Sequence, residues 1–140
     1  MLTPEERLEQ IEKVLDDLEE LSGRMPVIVE GAKDVEALKR LGVERNVHAL
    51  HTGDTVFAFC EEISREWKHA VILTDWDRRG GHLARMLKDG FVANGVKPND
   101  QVRARLVILS KKEVKDIESL PTFIERLTKL ASQPPRLHIG

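Results

Sequence analysis

The sequence has no tyrosine, two tryptophans, four phenylalanines and a single cysteine, Cys60. Without tyrosine there is no phenolic oxygen to act as a nucleophile, and so few aromatic rings leave little to stack against single-stranded bases. The lone cysteine excludes a disulfide framework and a Cys-rich zinc cluster. It falls within a helical pattern, where a small buried thiol in a reducing compartment is the ordinary expectation. No apolar run approaches the roughly 20 residues that cross a bilayer, and no apolar leader precedes a cleavage site. A soluble, cytoplasmic protein with no membrane partner is therefore expected.

What is present is unevenly distributed. The net charge is only -2, yet residues 1–22 carry eight acids against Arg7 and Lys13, and residues 78–115 carry ten Lys or Arg against Asp89, Asp100 and Glu113. The first segment repels polyanions, and the second suits a phosphate-bearing partner, although basic helix surfaces also serve solubility alone. At 140 residues the chain suits one domain with a real core.

Thr3-Pro4-Glu5-Glu6 reads as a capped helix start, and Leu8, Ile11, Leu15, Leu18 and Leu21 continue it at helical spacing to a stop at Gly23. Residues 25–30 form a short β-branched strand ending at Glu30, followed by a helix to about Gly42. A second strand is expected over 46–50, a helix through about Trp67, a third strand over 69–75 and a helix over 80–95. A fourth strand is expected over 102–109 after a Pro98-Asn99-Asp100 turn, then a helix over about 111–131 bent or split at Pro121, then a poorly ordered tail. Strands alternating with helices make an α/β fold with a parallel sheet. Ligands in such sheets bind beyond the carboxyl ends of the strands, which here carry Glu30, Thr52, Asp75 with Asp77, and Ser110.

The stretch VILTDWDRRGG, residues 71–81, is the most informative. Two carboxylates held close disfavour joint ionisation unless a cation offsets them. Magnesium is the natural candidate, because it takes hard oxygen ligands and is usually held by one or two carboxylates plus substrate phosphates. An aspartate before a helix is also a common N-cap. A second aspartate, the matching Glu30 and the Arg-Arg-Gly-Gly that follows favour the cation. His48, His51 and His82 form no zinc spacing. Phosphatases that use the first Asp of an Asp-x-Asp pair as nucleophile expect Thr or Val where this chain has Arg79. A receiver domain would want paired acids where it has Glu30-Gly31. Trp76, between the two acids, either packs against the neighbouring helix or meets substrate, and packing is preferred.

Glu30 with the following Gly31-Ala32-Lys33-Asp34, a Thr52-Gly53 pair, and Thr74-Asp75-Trp76-Asp77-Arg78-Arg79-Gly80 at the end of the third strand resemble the Toprim domain over roughly residues 24–112. That domain is shared by topoisomerases, primases, nucleases such as the OLD family, the ribonuclease that matures 5S ribosomal RNA, and recombination mediators. The chain is most similar to the small stand-alone Toprim proteins of archaea. The resemblance implies a sheet of about four parallel strands flanked by helices. It implies a magnesium centre at Asp75 and Asp77 in which manganese could substitute, with Glu30 as general acid or base or a further ligand, Asp34 as a nearby acid and Lys33 meeting phosphate. Toprim enzymes often carry Glu after the Asp-x-Asp-x-x-Gly motif; here Gly81 follows.

The lack of tyrosine excludes strand passage by a topoisomerase route, and the single cysteine excludes a primase zinc domain. Hydrolysis or binding remains. The function expected is a magnesium-dependent nuclease acting on structured RNA or DNA, with Glu30, Asp75 and Asp77 catalytic. Lys33, Arg78, Arg79, Gly80, Gly81 and Arg85 hold the backbone, the glycines as a close-approach helix start that offers N–H groups to phosphate. The alternative is a non-catalytic Toprim module that binds nucleic acid or a protein partner. The expected organisation is an N-terminal helix (1–23), the Toprim-like unit (24–112) and a C-terminal helix and tail (113–140). The apolar stripe of the first helix packs on the domain or pairs two copies, leaving monomer and homodimer open.

Overall fold

The computed structural model describes residues 1–50, 53, 55–110 and 113–133. Four short strands, β1 (Val27–Val29), β2 (Val47–Ala49), β3 (His69–Ile72) and β4 (Lys97–Asn99), form one parallel sheet in the order β2-β1-β3-β4. The central strands are apolar on both faces, as a sheet covered by helices on both sides requires. Val27, Val29, Val71 and Leu73 join one buried cluster, and Ile28, Ala70 and Ile72 join another.

Six helices cover the sheet among the described residues: α1 (Pro4–Ser22), α2 (Ala32–Arg40), α3 (Val56–Ser64), α4 (Arg78–Ala93), α5 (Gln101–Ser110) and α6 (Leu120–Ala131). α1, α2, α5 and α6 supply the larger cluster and α3 and α4 the smaller. The expected capping box forms at Thr3, whose Oγ1 accepts the Glu6 N–H at 3.1 Å. The stripe Ile11, Val14, Leu15 and Leu18 is buried against the domain. No helix among the described residues is long and apolar enough to cross a membrane.

The strand order positions the site. From β1 the chain moves outward to β2 through a helix on the larger-cluster face, and from β3 it moves the other way to β4 through a helix on the smaller-cluster face. The connections leaving β1 and β3 therefore diverge, and a crevice opens between their carboxyl ends. Glu30 and Asp75 follow those two ends.

Four expectations are corrected. Residues 102–109 lie in helix α5, and the fourth strand is Lys97–Asn99, which overlaps the turn expected at Pro98-Asn99-Asp100. Arg103 and Arg105 between apolar neighbours imitate a strand alternation, but the buried positions are Val102, Leu106, Leu109 and Ser110, which is helical spacing. Pro98 is tolerated in β4 because that strand lies at the sheet edge and pairs only with β3. Ser110 accordingly ends a helix, not a strand. The helix expected over 111–131 begins only at Leu120, with Pro121 in its first turn, where a missing N–H costs nothing. His51, Thr52, Asp54, Lys111, Lys112 and the tail from residue 134 lie outside the described residues.

Cys60 sits on α3 with no exposed surface, and a Cβ placed on Gly90 of α4 would come 2.7 Å from its Sγ. Burial pushes the thiol up to about 11. Alkylation at pH 8 is therefore expected to be slow in the folded protein and fast after denaturant is added. Equal rates in a thiol-titration assay would contradict this packing.

Candidate metal centre at the carboxyl edge

The site is built from the backbone outward. β3 ends at Ile72, and the buried Thr74 turns its Oγ1 to the Gly80 carbonyl at 2.8 Å, tying the strand end to the first turn of α4. Asp77 is the N-cap of that helix, and its Oδ1 accepts the Gly80 N–H at 2.6 Å. The Gly81 N–H bonds to the Asp77 carbonyl. Both glycine N–H groups are thus engaged, and among the described residues the Arg78 and Arg79 amides at this helix start have no acceptor. Gly80 has a different role: a Cβ there would lie 1.8 Å from the Asp75 carbonyl oxygen. Only glycine lets the Asp75 loop pass this close to the helix.

The acids meet in the crevice. Glu30 Oε2 accepts the Asp75 N–H at 2.8 Å, linking the ends of β1 and β3. Asp34 is buried in the first turn of α2, and its Oδ2 accepts the Gly31 N–H at 3.0 Å. Asp75 Oδ1 accepts the Ile117 N–H at 3.1 Å. Burial raises the Asp75 carboxyl to about 7, opposed by the Ile117 hydrogen bond and reinforced by repulsion from Asp34, Glu30 and Asp116. Asp34 is also raised, first by burial, against the Gly31 bond, and then by Glu30, Glu118 and Asp116. Among the described residues, no three His, Cys, Asp or Glu side chains close on one point in this conformation.

Several groups here were not anticipated from the sequence. Arg103 of α5 donates Nε to the Thr74 carbonyl at 3.0 Å and an Nη to the Asp75 carbonyl at 2.9 Å, forking over the loop backbone. Burial lowers its pKa, while Asp100, Glu30, Asp75 and Asp77 favour its charge. Asp116, Glu118 and the Ile117 N–H reach the site from the segment before α6. Their sequence offers no motif, and only the fold brings them there. Trp76 packs as expected, half-buried against the larger cluster, and its indole N–H donates to Ser110 Oγ at 3.1 Å and the Val114 carbonyl at 2.6 Å.

The basic residues singled out from the sequence are on the surface. Lys33 lies in the first turn of α2, and Arg78, Arg79 and Arg85 lie on α4; all four are exposed and make no ion pair with the described residues. They leave the strand ends from both sides of the crevice.

The Toprim domain family model matches residues 26–109. The chain belongs to the Toprim family. Toprim domains act on nucleic acids and generally bind magnesium through acidic residues, so the chain falls within a family of metal-dependent nucleic-acid processing. Its relatives include a UPF0292 protein of Methanosarcina barkeri, 49% identical over 86% of this chain and 85% of that one. A UPF0292 protein of Methanocaldococcus jannaschii is 36% identical over 86% of this chain and 96% of its own. A solved structure from Aquifex aeolicus shares the Toprim-like fold, with a TM-score of 0.66 at 22% identity over 76% of this chain and 94% of that one. The α1 helix precedes the Toprim match and α6 follows it.

Proposed function

We propose that the protein is a magnesium-dependent nuclease that hydrolyses phosphodiester bonds in structured RNA or DNA. The observation that carries this function is Asp75, a half-buried carboxyl raised to about 7 in a crevice shared with Asp34, Glu30 and Asp116. Such a crowd of oxygen donors, each offering an oxygen besides the one bonded to backbone, fits a hard divalent cation that keeps its waters. Asp75 and Asp77 would hold the ion, with Glu30 and Asp34 beside it. When bound, magnesium offsets the charge that develops on the phosphate oxygens. Glu30 is fixed by the Asp75 N–H through Oε2 and has Oε1 to orient water and take its proton. Lys33, Arg78, Arg79 and Arg85 hold the sugar-phosphate backbone on either side of the acids, which gives affinity without sequence choice.

One observation favours the non-catalytic alternative: Asp75, Asp77 and Glu30 each use an oxygen to hold backbone in place. A panel of structured RNAs and DNAs, offered with magnesium, manganese or chelator to the protein and its Asp75→Asn variant, separates the two. Cleavage that requires metal and is abolished in the variant is the expected result. Binding by both proteins with no cleavage by either would establish a binding module instead.

A further inference from the structure

The acid loop is held from a part of the chain that lies beyond the family match. Ser110, Val114, Lys115 and Ile117 follow the matched stretch 26–109, and each bonds to Asp75 or Trp76. The Trp76 backbone N–H donates to the Lys115 carbonyl at 2.8 Å, and its indole N–H bridges Ser110 and Val114. Ile117 returns its own N–H to Asp75 Oδ1. The anchors are firm, since Ser110, Val114 and Ile117 are all buried. The Ser110 hydroxyl also donates to the Val114 carbonyl at 3.3 Å, closing the network on itself. Arg7 of α1 holds the start of this stretch, donating to the carbonyl of Leu109, the last matched residue, and pairing with Glu113.

We infer that Trp76 is a positioning residue for the metal centre: its indole, held by Ser110 and Val114, fixes the segment that in turn fixes the Asp75 carboxylate. The mechanical argument is short. Asp75 and Trp76 are adjacent, so the two residues and the 114–117 stretch form a closed ring of hydrogen bonds. One member of the ring is a carboxylate oxygen of the site. Deleting the indole N–H leaves the Trp76 side chain packed and its backbone bond to Lys115 in place, but frees the Ser110 and Val114 end of the segment and so loosens the Ile117 N–H and, with it, Asp75. Groups that orient a ligand without touching the ion commonly govern affinity by 10- to 100-fold. This inference rests on the proposal that the acids bind magnesium.

The test uses the full chain and magnesium alone, titrated by calorimetry. Trp76→Phe keeps an aromatic ring and deletes the donor; it is expected to bind magnesium roughly 10-fold or more weakly while melting close to wild type without metal. Ser110→Ala removes one of two acceptors and is expected to weaken binding less. Leu127→Ala, in the core contributed by α6, lowers stability and is expected to keep wild-type affinity. Wild-type affinity in Trp76→Phe, or an equal loss in Leu127→Ala, would overturn the positioning role while leaving the metal centre intact. No magnesium binding by the wild-type protein would overturn both.

Discussion

Gly80→Ala is expected to lower the melting temperature by about 2 to 9 °C and to weaken magnesium binding, whereas Gly81→Ala melts at or slightly above wild type. The two glycines are neighbours in the first turns of α4, and intrinsic helix preference favours alanine at both by up to about 1 kcal/mol. Their surroundings differ. At Gly80 the new Cβ would stand 1.8 Å from the Asp75 carbonyl oxygen and 2.4 Å from its carbon. Those are backbone atoms, held by Arg103, so the loop or the helix must shift. Overpacking of that kind costs about 1 to 3 kcal/mol and occasionally more, which exceeds the helical gain. At Gly81 the nearest atom is a guanidinium nitrogen of Arg103 at 3.9 Å, an ordinary contact. Thermal melts of both variants, with and without magnesium, check the contrast. Equal behaviour would show that the Asp75 loop gives way freely.

Asp75→Asn is expected to stabilise the metal-free protein at neutral pH and to abolish its stabilisation by magnesium. In the folded chain the Asp75 carboxyl titrates near 7 against an ordinary 3.8, so between those values the native state binds more protons than the unfolded one. Stability of the metal-free protein therefore falls as pH rises through that window, and the loss is complete above it. With allowance for solvent screening of a half-buried carboxylate, the effect is about 1 to 2 kcal/mol, or roughly 2 to 6 °C. An asparagine keeps an oxygen for the Ile117 N–H and removes the charge. Melting curves from pH 5 to 8 should be flatter for the variant than for wild type without metal, and magnesium should raise only the wild type. A variant as pH-dependent as wild type would assign the titration to another acid, Asp34 foremost.

The central strands and their acids were legible because each rests on a strong local signal. Val27–Val29 and residues 70–72 are β-branched or apolar stretches followed within three residues by a carboxylate, and a parallel sheet needs such strands in its middle. The edge was not legible. β4 is three residues with a proline, below any periodicity, and its neighbour α5 presents arginines at alternate positions that mimic a strand. The Asp75-Trp76-Asp77 stretch announced carboxylates, but not that Asp77 would also cap α4. Asp116 and Arg103 escaped notice for a different reason: nothing in their neighbours marks them, and their importance comes from contacts formed over long stretches of chain. Trp76 was placed correctly because a ring flanked by two charged loop residues gains more from packing than from solvent.

The ring that holds the acid loop has an order in time as well as in space. Trp76 reaches Ser110 and Val114 over 34 and 38 positions, and Asp75 reaches Ile117 over 42. At ordinary rates of synthesis, roughly 5 to 20 residues per second, the loop leaves the ribosome roughly 2 to 8 s before the residues that secure it. During that interval Asp75 lacks its Ile117 partner and the indole N–H has neither acceptor. The nascent sheet can assemble its central pair early, yet the crevice matures only when the last quarter of the chain arrives.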